Sequence, residues 1–331
     1  MENHMDTTPI ITIIVPVYNR AGLVLRTLDS IAAQSYRPLK LIVVDNNSTD
    51  ATPQKVREWM GTHRADDFHI SLLHEPQSGA AAARNCGLAN CDTPWVMHFD
   101  SDDEMLPEHL SRIANEIHAR KEADLIYFDM AQIDEDGWTT PKSVNDSNLL
   151  RGHMFHCTLS TQRWIARTSL VREAGGWNTQ CAIWDDLELG IRLALKASAP
   201  HKLHGNPSLL VHHSDDSLTG HSYAERAGRF EKTLDIIQQD LHTHPNPLPL
   251  LWLECRRMIL AAAYMREGLK KESRELRTCV LDRHPLTTCM KLHAVYAVHR
   301  ICGYGASWLA TALFKEKREK NGKLTPAAKA M

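Results

Sequence analysis

The strongest constraint on the fold is an alternation of two textures over the first 130 residues. Five short apolar runs, "IITIIVPVY" (10–18), "LKLIVVDN" (39–46), "FHISLLHE" (68–75), "WVMHFD" (95–100) and "DLIYFDM" (124–130), read as strands, the first two buried on both faces. Stretches of helical character separate them. "AGLVLRTLDSIAAQS" (21–35) spaces Val24, Leu28 and Ile31 by four and three. "NSTDATPQKVREWM" (47–60) opens on capping residues, "SGAAAARNCGLAN" (78–90) is Ala-rich, and "PEHLSRIANEIHARK" (107–121) has Pro in its first turn. Strand and helix in turn predict an α/β domain with a mostly parallel sheet and helices on both faces.

After Met130 the pattern changes. Residues 131–185 carry turns, Trp and polar runs with short elements only, whereas "DDLELGIRLALKAS" (185–198) reads as a helix and "NPSLLVHHSDDSLTG" (206–220) as a strand running into a loop. From Tyr223 the chain reads as helical, with Phe230, Leu234, Ile237 and Leu241 on one stripe and "HPNPLPL" (244–250) as a linker. The expected domains are therefore 1–222 and a helical extension, 223–331, ending in a basic tail.

Bulk properties exclude several classes. A formal charge of −2 argues against a protein that grips nucleic acid over its whole surface. The eight Cys are scattered without a CxxC, which disfavours a zinc ribbon or dense disulfide framework and suits reduced thiols in the cytoplasm. No signal peptide is expected from "MENHMDTTP", and "ICGYGASWLATALF" (301–314) is shorter than the ~20 residues a spanning helix needs. Without G-x-x-x-x-G-K-[ST] or G-x-G-x-x-G, neither a P-loop ATPase nor a dinucleotide-dependent dehydrogenase is favoured.

Polar residues gather where parallel strands end. Tyr18-Asn19-Arg20 follow the first strand, Asp45-Asn46-Asn47 the second, and Asp100, Asp102 and Asp103 the fourth. In open α/β sheets ligands bind outside the carboxyl ends of the strands, so these groups would converge on one face. Any one of them reads better as ordinary turn chemistry; three together point to a site. Carboxylates this close repel one another, and a divalent cation that also holds a phosphorylated ligand would relieve them.

The segments "IIVPVYNR", "LIVVDNNSTD", "SGAAAARNCGL", "HFDSDD" and "IWDDLELGIRL" occur in the order and rough spacing of family 2 inverting glycosyltransferases. The resemblance covers about residues 10–220 and implies a GT-A nucleotide-sugar-binding domain. It implies that Pro16, Tyr18 and Asn19 line the nucleotide pocket and that Asp45 reads the base, often uracil, with Asp50 nearby. Arg84 and Asn85 would border the donor. Asp100-Ser101-Asp102 would be the DxD, with Asp100 toward the ribose and Asp102 on Mn²⁺ or Mg²⁺, and Asp103 in support. His213 would approach the diphosphate or the metal, with His212 pointing away.

Inverting transfer needs the leaving diphosphate neutralised and a base for the attacking hydroxyl. The resemblance assigns the base to Asp186, with Asp185 as its partner where the family more often has Glu. The alternative for both is a helix cap. "GGWNTQ" (175–180) resembles the loop that shapes the donor-sugar and acceptor pocket, and Trp177 or Trp184 could stack on a sugar face, a buried core Trp being an equally ordinary reading.

The expected activity is of hexosyltransferase type. It would move a sugar from a nucleotide sugar, a UDP-sugar foremost, to a glycan or lipid-linked glycan of a surface polysaccharide. A metal-dependent nucleotidyl- or phosphotransferase and a non-catalytic nucleotide-sugar-binding module are the alternatives. In the C-terminal third, Trp308, Leu309, Leu313 and Phe314 precede the basic tail. That segment reads either as a helix packed on the protein or as a peripheral contact with the inner face of the cell membrane.

Overall fold

A computed structural model describes residues 10–134, 136–137, 139–144, 147–212 and 222–315. The chain divides into two compact units, 1–237 and 238–331.

The first unit follows the expected alternation: β1 (Ile11–Val17), α1 (Val24–Ala32), β2 (Leu39–Asp45), α2 (Thr52–His63), β3 (Phe68–His74), α3 (Ala80–Ala89), β4 (Trp95–His98), β5 (Glu104–Met105), α4 (His109–Ala119) and β6 (Leu125–Phe128). Then come β7 (Met130–Ile133), β8 (Thr139–Lys142), α5 (Leu149–His156), β9 (Trp164–Arg167), α6 (Thr168–Glu173), α7 (Asp185–Lys196), β10 (Pro200–Leu203), β11 (Leu209–His212) and α8 (Arg229–His242), within which the division between the units falls. Seven strands form one sheet in the order β10-β6-β9-β4-β1-β2-β3. All its pairs are parallel except those of β9, which runs antiparallel to both β4 and β6. A second sheet has the order β5-β11-β7-β8.

Side-chain alternation explains why the central strands are apolar throughout. Ile11, Ile13, Val15 and Val17 of β1 face a core with Leu28 of α1, Val56 of α2 and Ile113 of α4, whereas Ile14 faces Ala83 and Leu88 of α3, Val171 of α6 and Leu189 of α7. Each buried Ile, Leu or Val contributes about 1.5–3 kcal/mol relative to exposure, so covering both faces outweighs the absence of a polar side. Gly87 lets α3 lie close on β1, because a Cβ there would collide with the Ile14 side chain.

The second unit contains α9 (Leu248–Arg266), α10 (Lys270–Leu281), α11 (Leu286–Cys302) and α12 (Ala306–Leu313). Helix α9 is buried on most sides, through Trp252, Leu253, Met258, Leu260, Ala261 and Tyr264. Leu276 and Val280 of α10, and Leu292, Val295 and Tyr296 of α11, complete this core. Ser273 Oγ donates to the Ala261 carbonyl (2.6 Å) and Trp252 Nε1 to the Phe314 carbonyl (3.0 Å), fixing α10 and the chain after α12 on α9. Among the described residues no helix is long and apolar enough to cross a membrane.

Candidate active site

Register aligns the strand ends. Val17 pairs with Asp45 across β1 and β2, and Ile14 with His98 across β1 and β4. Asn19, just past β1, is left-handed (φ 48°); its amide donates to Ser48 Oγ (3.1 Å), and its side-chain oxygen accepts from the Thr49 amide (2.8 Å). The loops after β1 and β2 are thereby tied together. Asp50 strengthens the tie by accepting from the Ala21 amide (3.1 Å), and hydrogen bonds, the Thr52 side chain's foremost, hold it below the usual carboxylate range. Asn46 organises the next loop: its Nδ2 donates to the carbonyls of Glu75 (2.9 Å) and Gln77 (2.7 Å), and its oxygen accepts from the Gly79 amide (2.7 Å).

Asp45 is buried at the end of β2, 3.4 Å from His74 Nδ1. It reaches the wall of a cavity of about 420 Å³, lined also by Arg57, Met60, Arg64 and Leu72 from α2, β3 and the start of the loop after α2. That size suits a small-molecule moiety. Pro16 lies half-buried in β1, and Tyr18 is exposed at the strand ends.

Arg84 draws two distant acids together. It rises from α3 into the interior, where Nη2 donates to Asp100 Oδ1 (2.8 Å) and Nη1 to Asp185 Oδ2 (2.9 Å). Burial works against its charge, but Asp100 and Asp185 more than reverse this and raise its pKa above the ordinary arginine value. The guanidinium carbon sits 4.3 Å from the centre of the Trp177 ring. Asn85 grips the same turn, donating to the Trp177 carbonyl (2.7 Å) and accepting from the Trp177 amide (2.8 Å).

Trp177 is therefore not a sugar platform. It is 2% exposed and lies between Arg84 and His98, whose Nε2 accepts from Trp177 Nε1 (3.2 Å). Burial, with Arg84 in second place, keeps His98 neutral far below its usual pKa, so its single proton resides on Nδ1. The expectation of a stacking role for Trp177 failed because the turn Gly175–Trp177 folds inward onto α3.

The acids after β4 divide by environment. Asp103 is buried and accepts from Gln162 Nε2 and from the His212 amide (2.9 Å), so it joins β11 to the end of β4, a supporting role. Burial, then Asp100 and Asp102, push its carboxyl well up. Asp102 is half-buried; burial, then Asp100, raise its pKa, against the opposing charges of Arg20 and Arg26. His212 is held by Glu104 Oε1 (2.6 Å). His213 lies outside the described residues. Among the described residues no three His, Cys, Asp or Glu side chains converge as a ready metal cage.

Asp185 and Asp186 form the first turn of α7, where the helix dipole favours anions. Asp185 Oδ1 accepts from the Asp186 amide (3.1 Å), and Asp186 Oδ1 from the Leu187 amide (2.8 Å). Burial, then the Asp185 charge, push Asp186 up to about 6, while Arg84 opposes them. Trp184 precedes them in a left-handed conformation (φ 55°), half-buried, with its ring centre 4.6 Å from that of Phe230. Left-handed backbone costs a non-glycine residue about 1–2 kcal/mol. Among the described residues Asn19, Asn47, Cys157 and Trp184 bear it; all but Cys157 are, or lie within two residues of, candidate site residues, in keeping with strain gathered at a functional site.

Asn46 stands in the polar group that the sequence places at the end of the second strand, though with no individual role; His98 and Gln162 have none there, a lone His inside the apolar run of β4 being the available signal for the first.

Residues 12–172 match the model of glycosyl transferase family 2. These residues form a family 2 glycosyltransferase domain. Beyond the domain's matched stretch lie Asp185 and Asp186. The amylovoran biosynthesis glycosyltransferase AmsB of Erwinia amylovora is 29% identical over 155 residues, 44% of this chain and 50% of that one. The succinoglycan biosynthesis protein ExoO of Rhizobium meliloti is 32% identical over 110 residues, 33% of this chain and 30% of that one. The chain thus spans half or less of these two curated relatives. The glycosyltransferase domain also has solved neighbours in fold. S. aureus TarS 1–349 in complex with UDP-GlcNAc superposes with a TM-score of 0.65 at 19% identity, over 88% of this chain and 87% of that one. The mannosyltransferase PcManGT from Pyrobaculum calidifontis, in complex with GDP-Man and Mn²⁺, gives 0.54 at 21% identity, over 92% and 86%. The fold is GT-A-like.

Proposed function

We propose that the protein is an inverting glycosyltransferase that moves a sugar from a nucleotide sugar to a hydroxyl of a glycan or lipid-linked glycan in surface polysaccharide synthesis. The observation that carries this reading is the double ion pair of Arg84, which holds the acid after β4 against the start of α7. Donor-side and acceptor-side acids share one cleft because of it. UDP is the favoured nucleotide, since TarS was solved with UDP and with UDP-GlcNAc. The names of the relatives, amylovoran and succinoglycan biosynthesis proteins, support a polysaccharide product. The work would be done in the cytoplasm, at the inner face of the cell membrane.

In this reading the base enters beside Asp45 and the ribose faces Asp100, with Pro16, Tyr18 and Asn19 along the nucleotide. Arg84 holds Asp100 and Asp185 in fixed positions, and Asn85 holds the turn below the donor sugar. Trp184 borders the donor. Asp186 takes the proton from the acceptor hydroxyl: its pKa of about 6 leaves it ionised at neutral pH yet more basic than an ordinary carboxylate. Asp185 sustains that basicity through its own charge.

A divalent ion fits this cleft in one way. Asp102 is half-buried, crowded by Asp100 and raised in pKa, the state of a carboxylate that gains from a cation. Mg²⁺ is commonly held by one or two carboxylates with substrate phosphates completing the shell, so Asp102 and a donor diphosphate would hold Mn²⁺ or Mg²⁺, with His213 as a further ligand. When bound, it would neutralise charge on the departing diphosphate.

The test is incubation of the full chain with UDP-, GDP-, CDP- and dTDP-sugars and a panel of glycan acceptors, reading nucleoside diphosphate release and the anomeric configuration of the product. Release of one nucleoside diphosphate with inversion is expected. Pyrophosphate release would assign a nucleotidyltransferase instead, and retention would remove Asp186 from the base role.

A further inference from the structure

The second unit carries an apolar stripe that its own core does not use. On α11, Leu292, Val295 and Tyr296 point into the core. The opposite side bears Leu286, Met290, Ala294, Ala297 and Ile301. A helix advances ~100° per residue, so these five fall within roughly 80° of arc. Their large members are open to solvent: Leu286 is 76% exposed, Met290 66% and Ile301 79%. The exposure continues through the turn at Gly303–Gly305, in Tyr304 (78%) and Trp308 (73%). Single exposed apolar residues are ordinary; a regular stripe ending in a Tyr and a Trp is not.

Charge decides what could cover it. From Pro285 to Lys315 the sequence contains no Asp or Glu, while Lys291, Arg300 and Lys315 are cationic. Lys291 and Arg300 are exposed on either side of the stripe. The sequence after Phe314, "KEKREKNGK" (315–323), adds five basic residues against two acidic ones, counting Lys315. A second copy of this surface would bring like charges together and leave the cations unpaired. A layer with apolar depth beneath an anionic face answers both features. Trp and Tyr favour that interfacial zone, and basic side chains reach up to the headgroups.

We propose that the α11–α12 surface is a docking face for an anionic lipid bilayer, with Leu286, Met290, Ile301 and Trp308 inserted at the level of the headgroups and Lys291 and Arg300 on the lipid phosphates. No helix among the described residues is long and apolar enough to span, so the contact lies in the plane of the surface. This inference stands apart from the catalytic reading: it uses neither the cleft nor its residues.

The experiment is flotation of the full chain with vesicles of phosphatidylcholine alone and of phosphatidylcholine with phosphatidylglycerol, at low and high salt. Binding to the anionic vesicles is expected, weakened by salt. Lys291→Gln and Arg300→Gln should each weaken it by roughly fivefold, the contribution of one basic residue near an anionic surface. Met290→Ser with Ile301→Ser and Trp308→Ser should abolish flotation while circular dichroism and light scattering of the free protein stay unchanged. Absence of flotation with both vesicle types overturns the proposal. So does a triple variant that floats as before. A dimer of the wild-type chain that the triple variant dissolves, without vesicle binding, would assign the stripe to self-association.

Discussion

Asp186→Asn separates a base from a helix cap, because the two roles predict different combined changes in activity and stability. Asn caps helix N-termini about as well as Asp, so a pure cap would lose little in either activity or stability. A base held at a raised pKa behaves otherwise. Its ordinary value is 3.8 and its folded value about 6, a difference of about 2. At ~1.4 kcal/mol per pH unit, the ionised form costs the fold at most about 3 kcal/mol, less for the exposed part of the side chain. The folded state holds this proton more tightly than the unfolded chain. The cost is thus absent at acid pH, grows as pH rises from about 4 to about 6, and is complete above that. Asn removes it, so Asp186→Asn should melt above the wild type at pH 7.5 and level with it near pH 3.5. Activity should move the other way. Loss of a general base costs typically 10²–10⁴-fold in rate, about 3–5 kcal/mol of barrier. Wild-type kcat/KM should fall tenfold per pH unit below about 6, a limb that the variant's residual rate lacks. Paired thermal melts and pH–rate profiles measure both effects. A variant that keeps its rate, or one that loses rate and melting temperature together, would refute the assignment.

Arg84→Ala should cost about 3–5 kcal/mol, as removal of one partner from a buried ion pair does, because Asp100 and Asp185 would then face each other without a cation; chemical denaturation reads this directly. Arg84→Lys should recover only part of that, since an ammonium cannot fork to both acids. Trp177→Phe should cost about 1–2 kcal/mol by removing the donor to the buried His98 Nε2 while leaving Arg84 a smaller aromatic face, with kcat lowered and donor KM little changed; thermal melts and steady-state kinetics read both. Gly190→Ala should destabilise by about 1–3 kcal/mol or more, because its Cβ would strike the His153 ring, which bridges the Leu187 carbonyl and the Leu159 amide; urea denaturation monitors this change.

Much of the sheet was legible because its strands are local and apolar. From β1 to α4 each run except the two-residue β5 announced itself by period and caps. Strand β9 did not: Trp164–Arg167 is four residues long, and only a partner strand on each side makes it a strand. The second sheet was hidden for the same reason, as β5 has two residues and pairs with β11 about a hundred positions later. In the cleft, residue types and strand ends could be read, whereas their connections could not. Arg84 lies 16 positions from Asp100 and 101 from Asp185, and no sequence period relates them. Trp177 shows the limit in the other direction. A Trp after two glycines suits an exposed platform, yet the two Asn85 hydrogen bonds turn it into the interior.

The central claim is a nucleotide-sugar site completed by a metal on Asp102. Calorimetric titration of the chain with UDP, GDP, CDP and dTDP, in Mn²⁺ and in EDTA, for the wild type and Asp102→Ala, tests it most directly. The account predicts that one nucleotide, UDP first among them, binds in Mn²⁺ and that binding is lost in EDTA and in the variant. Failure of every nucleotide to bind, or binding indifferent to both metal and Asp102, would contradict it.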